Sequence, residues 1–184
     1  MNLRTASALG AAILFSAALA PAQEKKLACN ERDSGRNNRV CEMREMNVAP
    51  GGRLDVDATP NGGISIKGWD QNQILVRAKV EAWGDSLQEA KDRLMDVRIN
   101  TGGGKVAAEG PKSSTLGNWG QQKWSVSYEI FTPRKIDLKL ESVNGGIHVA
   151  DVRGNIGFET VNGGVTLAGV NGTVKGGTVN CGVN

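Results

Sequence analysis

The sequence predicts a mostly β protein: a right-handed parallel β-solenoid with coils of about 18 residues, preceded by strands and one α-helix. From Val143 onward, an apolar-x-apolar cue follows a glycine-containing corner every nine residues. The Asn-Gly-Gly corner returns after two such units, at Asn144 and Asn162, and again at Asn180 with Cys181 in place of the first glycine. Units this short bury a core only by stacking, and crossovers between parallel strands are right-handed.

The first 22 residues have the pattern of a cleaved secretory signal. Arg4 is the single charge, and the apolar run 6–20 is shorter than the roughly 20 residues that span a bilayer. Ala20-Pro21-Ala22 offers small residues for cleavage, which makes Gln23 the mature N-terminus. We therefore predict export to the periplasm or cell surface. An uncleaved membrane anchor and a lipoprotein attached through Cys29 are the alternatives.

The charge balance argues against a nucleic-acid partner. Because one basic residue lies in the signal, the rest of the chain has 21 basic and 19 acidic residues, a net charge of +2. Nucleic acid and anionic lipid are bound by basic stripes or clusters, which this balance does not supply.

Three cysteines in an exported chain predict one disulfide and one spare thiol. Cys29 and Cys41 enclose a polar stretch with little capacity to bury itself, so we predict that these two are bridged. Residues 23–47 would then be a bridged, loosely structured lead-in. The alternative is that all three cysteines are free. No Cys-x-x-Cys spacing exists and the chain has one histidine, so no metal site and no cofactor are expected.

The folded domain is predicted over residues 48–184, and strands are expected within 54–82. Leu54 to Ala58 alternates apolar and polar residues, and Asn61-Gly62-Gly63-Ile64 has the form of the later repeats. Between these strands and the array we predict a helix over 86–98. Ser86 and Glu89 form a capping-box pattern, and apolar residues follow at helical spacing.

The residues from 124 to 131 alternate again, and the repeat array is predicted over 136–184. Stacked coils would place equivalent asparagines about 4.8 Å apart in a ladder, with Ser142, Thr160 and Thr178 in a second stack. The last unit stops within a strand, so we expect the chain to continue beyond Asn184 and the open edge to favour edge-to-edge self-association. The structural repeat residues are Asn144, Gly145, Gly146, Asn162, Gly163, Gly164, Asn180 and Gly182.

Several segments together resemble the bacterial "putative adhesin" domain family, a β-strand-repeat domain of unknown function. They are Cys41-Glu-Met-Arg-Glu45, Asn61-Gly-Gly-Ile64 leading to Gly68-Trp69-Asp70, Trp124-Ser-Val-Ser-Tyr-Glu-Ile130 and the Asn-Gly-Gly repeats. The resemblance covers roughly residues 41–184 and implies an exported β-solenoid of the bacterial envelope. It implies no catalytic residues, and Cys181 departs from the repeat pattern.

Few residues have the chemistry of an active site. Glu141 and Glu159 lie one predicted coil apart and would stack as a solvated pair, and His148 alternates with apolar neighbours and should point outward. Four tryptophans are candidates for stacking on sugars, with packing as the commoner role: Trp69, Trp83, Trp119 and Trp124.

We therefore predict an exported, non-enzymatic, adhesin-like interaction or scaffold module at the bacterial cell envelope. Its partner would be a protein or glycan of the envelope. Two alternatives belong to other classes: a polysaccharide-active β-helix enzyme, and an envelope-stress sensor domain. The enzyme requires acids and bases clustered in a groove, whereas the scaffold requires none.

Overall fold

The computed structural model describes residues 27–30, 38–111 and 123–183. The predicted signal segment, its cleavage site and Trp119 lie outside these ranges. The described residues form two six-stranded sheets, and inner-face side chains of both sheets join one buried apolar cluster. The strands are β1 (Arg39–Val48), β2 (Arg53–Asp57), β3 (Ile64–Trp69), β4 (Ile74–Trp83), β5 (Arg98–Asn100), β6 (Lys105–Glu109), β7 (Trp124–Pro133), β8 (Asp137–Ser142), β9 (Ile147–Ala150), β10 (Ile156–Thr160), β11 (Val165–Ala168) and β12 (Val174–Thr178), and the helix is α1 (Leu87–Asp96).

The two sheets are mixed. Sheet A has the order β1-β4-β7-β3-β9-β11, and sheet B has the order β12-β10-β8-β2-β6-β5. In sheet A, β1, β4 and β7 pair antiparallel, whereas β7, β3, β9 and β11 pair parallel. In sheet B only β5 and β6 pair antiparallel.

The prediction of a parallel β-solenoid is therefore wrong. The three ten-residue strands β1, β4 and β7 form an antiparallel block, which a chain of stacked parallel coils does not contain. The 18-residue interval sets the register of parallel pairs at one end of each sheet: Leu138 lies beside Ile156, and Ile147 beside Val165. It does not govern the other end, because the residues there lack the repeat and pair over irregular separations.

Strands β2 and β3 lie beside the repeat strands although a long stretch of sequence separates them. Leu54 pairs with Leu138 on β8, and Ile64 pairs with Ile147 on β9. The chain between β3 and β8 makes the antiparallel block, the helix and strands β5 and β6. The early Asn-Gly-Gly corner is thus a neighbour of the later ones rather than an element preceding them.

The expected loose lead-in over 23–47 contains strand β1 from Arg39 onward, antiparallel to β4. The inward positions of β1 include Glu42 and Arg44 among apolar residues, so the strand lacks the apolar alternation that marks a half-buried strand in sequence.

Helix α1 packs on β4 and β1. The Ser86 hydroxyl accepts a hydrogen bond from the Glu89 N–H at 3.1 Å, so it satisfies one of the unpaired amides at the helix start. The Arg44 guanidinium donates to the carbonyls of Leu94 and Val97 at the other end, where a cation is also favoured by the helix dipole. Strand β1 thereby fixes the C-terminus of the helix.

Glycines at the corners allow neighbouring backbones to touch. A Cβ on Gly62 would lie 1.8 Å from the Val126 carbonyl oxygen, one on Gly145 would lie 2.0 Å from that of Gly62, and one on Gly163 would lie 2.1 Å from that of Gly145. Distances this short exclude any side chain. The glycines at these corners are required by close approach.

Candidate interaction surface

The outer face of sheet B carries two rows of residues that cross the strands in register, and we call these rows together the charged face. The first row is Lys105, Asp55, Lys139, Gly157 and Lys175. The second row is Ala107, Asp57, Glu141, Glu159 and Gly177. Neighbouring strands lie about 4.8 Å apart, so successive positions in a row follow at that interval. The rows place charges of both signs at defined positions on the sheet, with uncharged positions at Gly157, Ala107 and Gly177.

Lys139 is the centre of the charged face. Its ammonium lies 2.6 Å from a carboxylate oxygen of Glu141. The hydrogen bond and charge of Glu141 raise the pKa of Lys139, and Asp55 and Glu159 add to this effect. The lysine therefore stays protonated and the array keeps both signs of charge across its width.

A depression of about 100 Å³ lies among Asp55, Lys105 and Glu141, and two larger ones follow the rows. One of about 200 Å³ lies over Gly157, between Lys139 and Lys175. The other, of about 620 Å³, runs beside the acidic row, and its lining includes Glu141, Glu159, Ser142, Thr160, Gly177 and Thr178. Both are open and shallow, which suits contact with an extended partner better than enclosure of a small molecule.

Glu141 and Glu159 are direct neighbours on β8 and β10. His148 lies on the outer face of the other sheet, between Ser65 on β3 and Thr166 on β11. The structure thus brings the two glutamates together but leaves the histidine on another face. Within the described part of the chain, no group of three or more His, Cys, Asp or Glu side chains is placed to hold a metal ion.

The repeat asparagines bond to one another along the corners. Asn162 donates through its amide to the side-chain oxygen of Asn144 at 2.8 Å, and Asn180 donates to Asn162 at 2.6 Å. Asn144 in turn donates to Asn61 at 2.9 Å. Asn61 was not predicted as a member of this ladder, although its Asn-Gly-Gly context was the available signal. These amides are used within the fold.

The hydroxyl stack is also structural. Ser142 donates to the Gly62 carbonyl at 2.8 Å, Thr160 to Gly145 at 3.3 Å, and Thr178 to Gly163 at 3.2 Å. Each hydroxyl thereby links the end of its own strand to the adjacent Asn-Gly-Gly corner in the stack.

The described tryptophans are engaged in packing. Trp124 is buried, with its indole N–H donating to the Pro111 carbonyl at 3.0 Å. Trp69 stacks at a tilt on Phe131, with ring centroids 5.4 Å apart. Trp83 is half-buried at the end of β4, and Trp119 lies outside the described residues.

Cys29 and Cys41 are joined by a disulfide with a Cα–Cα distance of 5.8 Å, and Cys181 is an exposed free thiol. The bond ties residues 27–30 to β1 on the outer face of sheet A. There the Leu27 carbonyl accepts a hydrogen bond from Arg77 at 3.2 Å.

Arg77 was missed by the sequence analysis. It is buried on β4 between Glu45 on β1 and Glu129 on β7, and it forms ion pairs with both. Its only signal was its place in an alternating strand, since its partners are distant in sequence. The two carboxylates and the Leu27 carbonyl occupy its donors, so we assign it a structural role.

Comparisons with known proteins give distant similarity in structure only. No family model and no curated protein matches the chain, so the resemblance to the adhesin family stays a prediction. A "putative cell adhesion protein" from Clostridium sporogenes is 10% identical with a TM-score of 0.37, over 79% of this chain and 100% of that chain. A "putative lipid binding protein" from Parabacteroides distasonis is 10% identical with a TM-score of 0.36, over 78% of this chain and 62% of that chain. Similarity at this level does not assign a function.

No helix within residues 27–30, 38–111 and 123–183 is long and apolar enough to cross a membrane.

Proposed function

We propose that this chain is an exported, non-enzymatic, adhesin-like interaction module of the bacterial cell envelope. It binds a protein or glycan through the charged face. The observation that carries the proposal is the register of the two rows, which places cations and anions side by side across the outer face of one sheet. Complementary charge arrays of this kind give orientation and specificity to a contact.

Export is supported by two independent features. The first 22 residues have the charge, apolar run and small residues of a secretory signal. The Cys29–Cys41 disulfide is of the kind that forms and persists in oxidising compartments.

The charges of the face act together rather than singly. Lys105 and Lys139 are exposed and Glu141 is half-buried, so solvent screens each contact with a partner. Removal of one charge should therefore weaken binding only slightly. Removal of a neighbouring cation and anion together should weaken binding more, because it changes the arrangement of charges that contacts the partner.

A binding screen with a matched pair of variants tests the proposal. The exported chain is screened against arrayed bacterial envelope glycans and against outer-membrane vesicles. Lys139→Ala/Glu141→Ala removes one cation and one anion from the charged face, and Lys91→Ala/Asp96→Ala removes the same charges from the exposed surface of α1. We expect the first variant to lose about tenfold in affinity for any retained glycan or vesicle and the second to lose none. Equal affinities would refute the assignment of the surface.

The enzyme alternative is tested by turnover. Glu141 and Glu159 are side by side, and paired carboxylates are the usual machinery of glycoside hydrolysis. We expect neither the parent nor a variant with Glu141, Glu159 and His148 replaced by alanine to cleave envelope polysaccharides. Polysaccharide cleavage by the parent that this variant abolishes while still folded would show that the protein is an enzyme.

A further inference from the structure

Strand β12 presents an unused set of backbone hydrogen-bonding groups. It is the terminal strand of sheet B, and β10 is its partner within the described residues. The Ile156 N–H donates to the Thr173 carbonyl and the Val179 N–H donates to the Thr160 carbonyl. Since parallel ladders use alternate residues, Lys175 and Gly177 bond to β10. The N–H and C=O groups of Val174, Gly176 and Thr178 therefore point to the free side.

The inner side of β12 is exposed as well. Val174 continues the apolar column of Leu138 and Ile156, yet it is 38% exposed where those two are 3% and 1% exposed. Gly176, the next inward residue, stands over Phe158 without a side chain of its own to extend the core. A neighbouring strand would cover both.

The edges at the opposite end of the molecule are guarded. Strand β1 turns Glu42 and Arg44 toward the inner side, where they form an ion pair at 2.7 Å, and a strand pairing there would meet these charges. Strand β5 has three residues, too few for an extended ladder. Inward charges and short strands are the usual protection of sheet edges. Strand β12 has neither form of protection on its inner side.

We propose that the chain forms a two-fold dimer in which β12 pairs antiparallel with β12 of a second copy, with Gly176 on the symmetry axis. Val174 then lies opposite Thr178 of the second copy, and Lys175 opposite Gly177 of the second copy. Val174, Gly176 and Thr178 each exchange two backbone hydrogen bonds with the residue that lies opposite in the second copy.

This register is the one that the residues favour. Shifting the axis to Lys175 sets the two Lys175 side chains directly opposite each other, which is unfavourable. Shifting it to Gly177 leaves Val174 beyond the end of the partner strand. Registers shifted by one residue set outward side chains against inward ones.

The charges across the proposed interface are complementary. Gly177 lies beside Glu159 in the second row of the charged face. Because Gly177 has no side chain, it does not obstruct a lysine that approaches the Glu159 carboxylate across β12. Lys175 of one copy would pass over Gly177 of the other and reach its Glu159, two strand spacings or about 9.6 Å away between Cα atoms. Symmetry makes this contact twice.

The assembly closes at two copies. A two-fold contact uses the same strand of both chains, so it consumes β12 of each and adds no further copy through that strand. The terminal strand of sheet A at the same end, β11, has Val183 of its own chain beside Val165. The two sheets B become one continuous sheet of twelve strands, since each contributes six. The two charged faces then lie on one surface, which goes beyond the function proposed for a single chain.

Sedimentation of the exported chain over a range of concentrations tests the dimer. We expect a concentration-dependent dimer. Lys175→Glu should raise its Kd by about tenfold or more, because it places two glutamates together. Lys175→Glu/Glu159→Lys should restore the dimer by exchanging the partners. Lys91→Glu, the same charge change on exposed α1, should leave the Kd unchanged. A monomer at every concentration, or a dimer indifferent to Lys175→Glu, would overturn the proposal.

Two further measurements test the register of the dimer. Amide hydrogen exchange of the parent should slow with concentration at Val174, Gly176 and Thr178, with Lys175 and Gly177 unaffected. In a Cys181→Ser background, Lys175→Cys and Gly177→Cys chains should form a disulfide when mixed and none when alone. A Cβ at Gly177 meets nothing within 4 Å, so the second variant is compatible with the fold. Uniform exchange across β12, or cross-linking without mixing, would rule out this register.

Discussion

At the scale of single residues, the corner glycines are the positions least able to change. Gly163→Val would drive its Cβ to 2.1 Å from the Gly145 carbonyl oxygen, so one of the two backbones must move. We expect a loss of about 3 kcal/mol in the free energy of unfolding. Thr166→Val, on an exposed position of β11, should change stability by less than about 0.5 kcal/mol. Urea denaturation with equal midpoints for the two variants would contradict the corner packing.

Tyr128, in contrast to the corner glycines, is a buried residue that should tolerate substitution, because its hydroxyl lacks a hydrogen-bond partner in the part of the chain that the structure describes. It is 1% exposed, and its hydroxyl has no hydrogen-bond partner among the described residues. Burial, with a smaller contribution from the charge of Asp57, raises the pKa of the phenol. Tyr128→Phe removes the unpaired hydroxyl, so we expect stability to stay equal or rise by about 1 kcal/mol. A loss of that size in thermal or urea unfolding would mean that the hydroxyl is bonded.

At the scale of elements, helix α1 depends on its first turn. Ser86→Ala removes the acceptor for the Glu89 N–H and should cost about 1 kcal/mol of stability. Lys91→Ala, on the exposed side of the same helix, is the matched control and should change little. If calorimetry shows the two variants to be equally stable, the cap contributes nothing.

The elements also show how far sequence reasoning extends. The capping box identified α1 because its signal is local. The nine-residue pattern identified the neighbours of β8 to β11 because a constant interval sets their register. Strand β1 escaped detection because Glu42 and Arg44 interrupt its apolar face. The antiparallel pairing of β1, β4 and β7 also escaped, since no periodicity in the chain encodes it. In the charged face, Asp55 lies beside Lys139 because β2 pairs with β8. That pairing was not predicted from the sequence either.

At the scale of the whole molecule, exposed carboxylates make the fold sensitive to acid. Hydrogen bonds from Arg134, Lys123 and the Asn155 backbone lower the pKa values of Asp70, Asp85 and Asp137 respectively. A carboxyl whose pKa is lower in the folded than in the unfolded chain stabilises the fold above the unfolded value, about 4. This contribution is lost as the pH falls through the folded value.

We therefore expect the urea midpoint to be level near neutral pH and to fall progressively below about pH 4. Asp137→Asn should flatten part of that slope, because it removes one of the titrating groups while keeping an oxygen to accept from Asn155. A midpoint that rises toward pH 3 would contradict the assigned hydrogen bonds.

The claim that the charged face is the binding surface is tested most directly by lysine footprinting. The exported chain is acetylated with and without an excess of outer-membrane vesicles, and the rate at each lysine is read by mass spectrometry. Lys105 and Lys139 are exposed on the charged face, and Lys91 is exposed on α1. We predict that vesicles slow acetylation at Lys105 and Lys139 and leave Lys91 unchanged. Protection of Lys91 with Lys105 and Lys139 unaffected would contradict the account.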